Sequence, residues 1–378
     1  PRLAVRWPLF GLAAVFVGLV GLTLAAYCLA LYMRPSGSFD AYAIWNLRAR
    51  FILFSPQNWT LAFSPLISWK AHVDYPLLWP MNMLRMWLIL GRDSVEAGIV
   101  QTALFFVLIP GLLVGGLLKL RDRSQAFLGG ILILGMPAFF NYSTFQAADT
   151  PLAYFYMATL LLFLGYERDR SPGLLALAGL ATGLAGWTKN EGLMFEIGVA
   201  VYLLARFLRP PFRASLRKLG WFGLGLALPL ATTLIFKILL APAGDLIGTQ
   251  NAGEIMAKLL DPSRYATIVA YVASYLPNLG GWIWPMAAAV PLYGLAAGKA
   301  KIQPGWLVFM ILGITFLGYF GVYLITPHPL EWHLKYSFDR LMFQLLIPAL
   351  FLMLALIRSP NDLISGLVKP GKSDFPAK

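Results

Sequence analysis

The sequence predicts an all-α polytopic membrane protein, with about ten transmembrane helices and a long first outer loop carrying interfacial helices. Three observations predict it. Charged residues make up 12% of the 378-residue chain, while 59% are apolar and the mean hydropathy is +0.69; a soluble domain carries about 25% charged residues. Apolar runs of the roughly 17–25 residues needed to cross the hydrocarbon layer recur along the whole chain. The basic residues collect in the loops of one side. Together these exclude a water-soluble enzyme, a disordered chain and a disulfide scaffold. The single cysteine, Cys28, lies inside an apolar run and has no partner for an intrachain bridge.

Ten runs qualify as spans: 9–33, 96–118, 125–141, 149–166, 172–188, 191–206, 219–241, 271–296, 304–326 and 341–357. The chain opens at Pro1 rather than Met. Its first run is too long for a signal peptide and lacks a small-residue cleavage pattern, so it is expected to be an anchor. An eleventh stretch, 76–90, is shorter and carries Asn82 and Arg85 in its middle. If it does not cross, the N-terminus, 119–124, 167–171, 206–218, 297–303 and the tail from 358 share one side, with most of the 30 Lys and Arg. If it did cross, that segregation would collapse. The consistent reading has both termini cytoplasmic, residues 1–358 as one transmembrane domain and 359–378 as a cytoplasmic tail. The net charge of +13 is then a matter of topology, and nucleic acid is discarded as a partner.

Outer connections are longer: about 60 residues at 34–95, another loop at 242–270 and a compact one at 327–340. Long loops in compact proteins are usually functional. Within the first, Asp40–Phe54 reads as a helix with Tyr42, Trp45, Leu47, Phe51 and Ile52 on an interfacial face, and Arg48 and Arg50 on another. Trp59, Trp69, Tyr75, Trp79 and Trp87 suit headgroup depth.

Ionisable residues gather on the same side: Asp40, Asp149 at the start of the fourth span, the turn Lys189-Asn190-Glu191, and Glu331, His333, Lys335, Asp339 and Arg340 before the tenth. Each has a plainer reading. Asp149 before Thr150-Pro151 fits a helix N-cap, Asp40 fits a cap of the interfacial helix, and Asp339-Arg340 fits an exposed pair. His72, His328 and His333 match no zinc spacing. Convergence on one face favours a site, because charges at membrane depth are functional candidates. A lipid-phosphate sugar donor suits such a face: transfer needs a carboxylate for the acceptor nucleophile and cations for the phosphate.

At these residues the chain resembles a membrane glycosyltransferase of the GT-C superfamily, of the family 39 type that includes the protein O-mannosyltransferases and the lipid A aminoarabinose transferase. Four segments carry the resemblance in order: Ser38-Phe39-Asp40-Ala41-Tyr42-Ala43-Ile44-Trp45; Trp69-Lys70-Ala71-His72-Val73-Asp74-Tyr75-Pro76-Leu77; Ala148-Asp149-Thr150-Pro151; and the glycine-spaced Gly179 to Gly192 ending in Thr188-Lys189-Asn190-Glu191. Leu77 replaces one proline of the family's pair, and Tyr336-Ser337-Phe338-Asp339-Arg340 is a weaker echo. The resemblance implies an inverting transferase that moves a sugar from a polyprenyl-phosphate donor to a lipid, glycan or protein acceptor, outside a bacterial inner membrane. It implies Asp40 as the catalytic acid–base group, Asp149 as a second carboxylate, and Lys70, Lys189 and Arg340 as donor-phosphate contacts. Tyr42, Trp45, His72, Tyr75 and Glu191, which flank them, are expected to touch substrate. Some relatives bind a divalent metal ion at this face, which leaves such a cofactor open; no ligand constellation in the sequence demands one.

Two other classes compete. A transporter or lipid flippase shows midspan charges and repeated halves; here only Glu196 and Lys237 come near, and no repeat is visible. A non-catalytic scaffold subunit of a membrane complex would tolerate replacement of Asp40.

Overall fold

The computed structural model describes residues 6–67, 71–208, 210–275 and 305–363, and among them the regular elements are all helical. The first apolar run forms α1 (Arg6–Met33), whose leucines and valines mostly face outward, as lipid contact requires. The first loop then holds a π-helical turn (Ala41–Trp45) running into α2 (Asn46–Phe54), two 3-10 turns (Pro56–Phe63 and Pro65–Ile67) and α3 (Leu78–Leu90). At 13 residues α3 is about 20 Å long, short of the roughly 30 Å hydrocarbon core. The segment 76–90 is therefore no span.

Next come α4 (Val95–Leu120), α5 (Arg123–Leu134) and α6 (Pro137–Thr144). The predicted span 125–141 is broken: α5 and α6 meet at 61°. Proline at 137 lacks the N–H that would continue the ladder, and Gly135 lets the chain turn just before it. The bundle continues with α7 (Asp149–Asp169), α8 (Pro172–Thr188), α9 (Asn190–Phe207) and α10 (Phe212–Leu239). The glycine spacing of α8 seats it against α10. A Cβ at Gly179 would lie 2.0 Å from the Phe222 carbonyl oxygen, and one at Gly225 would lie 1.8 Å from that of Ala176. Small residues let the two backbones approach closely, the packing available where lipid removes the hydrophobic drive between helices.

The second long loop contains α11 (Asp245–Gly248), α12 (Ala252–Leu259) and α13 (Pro262–Tyr275). The predicted span 271–296 lies almost wholly outside the described residues. The last two helices are α14 (Gly305–Ile325) and α15 (Leu330–Leu356). Here the expectation of a loop up to 340 gives way: helix begins at Leu330, directly after Pro329, and no proline or glycine interrupts it before Pro348. Its charged first turns lower the hydropathy without ending the helix. α15 is the most buried of the apolar helices and packs on α7, α14, α4 and α5.

Five described helices (α1, α4, α10, α14 and α15) are long and apolar enough to cross a membrane, six if the bent α5–α6 pair counts as one. The chain is an integral, multi-pass membrane protein. Its helices alternate in direction, so Met33, Val95, Thr144, Asp149, Thr188, Asn190 and Leu239 lie at one end, where the first loop folds over the bundle.

Candidate active site

The start of the first loop is stapled to the α6–α7 turn. Gly37 has φ of +73°, and a Cβ there would come 2.7 Å from the Phe145 carbonyl oxygen; glycine alone fits that approach. Ser38 donates to the same oxygen through both its backbone N–H and its hydroxyl, at 3.0 Å each, and Gln146 Nε2 donates to the Pro35 carbonyl at 2.7 Å. Asp40 follows two residues after Ser38, and Asp149 three residues after Gln146. The staple is what brings the two acids together.

Asp149 is fully buried at the first turn of α7. Lys189 Nζ donates to its Oδ1 at 2.9 Å and Gln344 Nε2 to the same oxygen at 2.6 Å. Arg340 donates to Oδ2 through Nε at 3.2 Å and Nη2 at 3.0 Å. The third nitrogen of Arg340, Nη1, pairs with Asp40 Oδ2. One guanidinium thus bridges the two carboxylates, a geometry its planar fork suits and an ammonium does not. Neither acid caps its helix with a side-chain hydrogen bond, so the plainer reading of both as N-caps does not hold.

Their accessibility differs. Asp149 has four donors on two oxygens and no room for a substrate. Asp40 has Arg340 as its ion-pair partner and a side chain 24% exposed, and that of Arg340 is 23% exposed. Lys189, the one non-helical residue between α8 and α9, is also fully buried and pairs with Glu191 Oε1 at 2.6 Å. Its charge acts through Asp149 and Glu191 rather than on anything in solvent. Glu191 Oε2 is buried with no partner among the described residues.

The 71–77 segment forms the wall opposite. His72 stacks on Tyr75 at 4.9 Å between ring centroids, Tyr75 on Trp45 at 5.7 Å, and Lys189 Nζ lies 5.6 Å from the Tyr75 ring. Trp45, expected on an interfacial face, is fully buried, whereas Tyr42 is exposed. His72 sits in the left-handed region at φ of +42°. Burial holds its imidazole pKa below the usual value; Asp74 and Asp245 oppose this, and Lys189 and Arg340 add to it. Burial likewise lowers the Arg48 guanidinium to about 10, against the pull of Asp74 and Tyr75. Lys70, expected to contact the donor phosphate, falls outside the described residues.

Four groups went unsingled in the sequence. Asp74 accepts from Asn190 Nδ2 at 2.7 Å and lies 3.7 Å from Lys237 Nζ, tying the wall to α9 and α10. Arg48, read only as lying on a face apart from Trp45, is fully buried and donates to the Tyr75 carbonyl. Gln344 is the polar interruption of an apolar run and links Asp149 to the Tyr319 hydroxyl, which donates to Gln344 Oε1 at 2.7 Å. Tyr142 donates to Asp339 Oδ2 at 2.5 Å. Among the described residues no group of three or more His, Cys, Asp or Glu side chains is placed to hold a metal ion.

Known proteins can now be set beside this geometry. Two solved structures of ArnT from Cupriavidus metallidurans superpose on 90% of the chain. The one bound to undecaprenyl phosphate does so with a TM-score of 0.55 at 15% identity, and the apo one with 0.50 at 16%. The chain shares the fold of ArnT. Residues 76–236 of the chain also match the family model described as dolichyl-phosphate-mannose-protein mannosyltransferase. That stretch contains Asp149, Lys189 and Glu191 but neither Asp40 nor Arg340. The chain spans 59% of the length of the ArnT chains it matches. No curated protein sequence matches it significantly.

Proposed function

We propose that this chain is an inverting glycosyltransferase. It moves a sugar from a polyprenyl-phosphate donor to a lipid, glycan or protein acceptor, at the outer face of a bacterial inner membrane with both termini cytoplasmic. One observation carries the reading: two carboxylates from distant parts of the chain share a single arginine, and only one of them is reachable. The fold, the family match over 76–236 and the undecaprenyl phosphate bound by ArnT support a lipid-linked donor.

In this reading Asp40 accepts the proton of the acceptor hydroxyl. The hydroxyl oxygen bonds to C1 of the sugar from the face opposite the phosphate, the C1–O–phosphate bond breaks, and polyprenyl phosphate leaves with the electron pair. Arg340, already between the acids, offers its exposed edge to the phosphate, with Lys70 as its companion by resemblance. Asp149 holds Arg340 and Lys189 in place, and Lys189 in turn holds Glu191. His72, Tyr75, Trp45 and Tyr42 line the approach. The alternative of a transporter loses one of its two midspan candidates, since Lys237 reaches the Asp74 carbonyl and carboxylate at the loop end.

The test is release of polyprenyl phosphate from a panel of polyprenyl-phosphate-linked hexoses and pentoses by the purified protein. Wild type releases it from at least one. Asp40→Asn slows release by roughly 10²–10⁴-fold, the usual share of a general base, with unchanged thermal stability. Full release by that variant overturns the assignment of Asp40.

A further inference from the structure

Beside the charge cluster, the first loop closes over a separate cavity of about 330 Å³, at the small end of ligand sites. Its walls include Tyr42, Asn46, Arg50, Trp87, Val95 and Gln146, and none of the ion-paired residues of the charge cluster. Tyr42, Asn46 and Arg50 recur at four-residue intervals along the helical segment that begins just after Asp40, so one helix face lines the cavity.

The lining mixes polar and apolar groups, and its one cation, Arg50, is paired. Asn46 is only 8% exposed, and its Oδ1 has no hydrogen-bond partner among the described residues. A buried amide oxygen left unpaired costs free energy, which a hydroxyl donor would recover. Gln146, held at φ of +55° by its bond to the Pro35 carbonyl, presents a second fixed amide. Arg50 is neutralised by Asp93 at 3.1 Å and stacks 5.5 Å from the Trp87 ring, whose Nε1 donates to the Ser94 carbonyl. An anion would have to compete with Asp93 for this arginine. Amides, hydroxyls and an aromatic wall without net charge suit a polyhydroxyl ring. Val95, on the cavity wall at the start of α4, is 44% exposed.

We propose that this cavity binds one uncharged sugar ring of a lipid-borne acceptor. The assignment of the ring to the acceptor rests on the transferase reading above; saccharide binding by the cavity does not.

Saturation-transfer NMR on the detergent-solubilised protein tests it, with methyl pyranosides as probes and undecaprenyl phosphate binding followed in parallel by native mass spectrometry. Wild type transfers saturation to at least one pyranoside. Val95→Trp, which fills the cavity from an exposed wall position, weakens that binding roughly tenfold or more, and Asn46→Leu does the same through the lost amide. Undecaprenyl phosphate binding is unchanged in both. Absence of any pyranoside signal in wild type, an undiminished signal in Val95→Trp, or displacement of the pyranoside by inorganic phosphate overturns the proposal. Pyranoside binding lost in Val95→Trp, in a protein that does not bind undecaprenyl phosphate, upholds the saccharide site and overturns the donor reading instead.

Discussion

Helix α7 carries a buried carboxylate at each end, and the two are built on different plans. Glu167, near its C-terminus, accepts from Arg206 Nε at 2.7 Å and Nη2 at 2.9 Å, and pairs with Arg170 at 2.9 Å. Those partners are its helical neighbour three residues on and a residue of the adjacent α9, and the Arg170 side chain is 55% exposed. Asp149, at the N-terminus, draws its partners from 40, 191 and 195 residues away. Its cations are shared with further acids, Arg340 with Asp40 and Lys189 with Glu191. At Glu167 two cations serve one acid and the pairing is closed. At Asp149 two cations serve three acids, and part of the assembly stays reachable. Burial of charge alone does not mark a site, because a buried ion pair is weak evidence for anything beyond itself. Shared cations with an acid to spare do.

The largest expected effect separates the two ends by stability. Asp149→Ala strands the fully buried Lys189 and the Gln344 amide, and leaves Arg340 with Asp40 alone. Breaking a buried pair costs about 3–5 kcal/mol, and the remaining acids place this one near 3. Glu167→Ala leaves arginines that reach solvent and costs about 1–2 kcal/mol. Thermal unfolding in one detergent measures both; equal losses would erase the distinction between a shared and a closed cluster.

The pattern of what the sequence disclosed follows the same line. Asp40, Asp149 and Lys189 sit in short local motifs beside span ends, where hydropathy and turn chemistry make a polar residue conspicuous. Asp74, Gln344 and Arg48 owe their roles to contacts between segments over a hundred residues apart or to burial under the loop, and helical periodicity reports a polar face without saying whether protein or water covers it. Arg48 was placed on a face apart from Trp45, yet both are buried, the guanidinium 5.7 Å from the indole ring. The same limit placed 330–340 in a loop: hydropathy falls there because charged side chains converge on the site, while the backbone stays helical.

Next in size is the pH response, which belongs to the Asp149 end. Burial lowers the His72 pKa in the folded protein, with Lys189 and Arg340 adding to the effect and Asp74 and Asp245 opposing it. The unfolded chain takes up that proton as pH falls through about 6.5, and the folded one only at lower pH, so over that interval the unfolded state binds more protons and stability drops towards acid. His72→Asn keeps a residue that tolerates the left-handed backbone and cannot gain the charge. The fall in melting temperature between about pH 7.5 and 5.5 is therefore smaller in the variant than in wild type. Identical slopes would mean that His72 is protonated in place and that this end is wetter than its packing implies.

The smallest effect comes from Arg206→Lys. It replaces two parallel bonds to Glu167 with one, while Arg170 keeps the carboxylate paired and the α7–α9 contact stays in place. The cost is about 1 kcal/mol or less. Polyprenyl phosphate release should match wild type, because nothing in the Glu167 pairing is shared with Asp40, Arg340 or Lys189. Release reduced tenfold at unchanged melting temperature would show that α7 transmits strain along its length. The two ends would then be one device, and the closed pairing a support on which the open one depends.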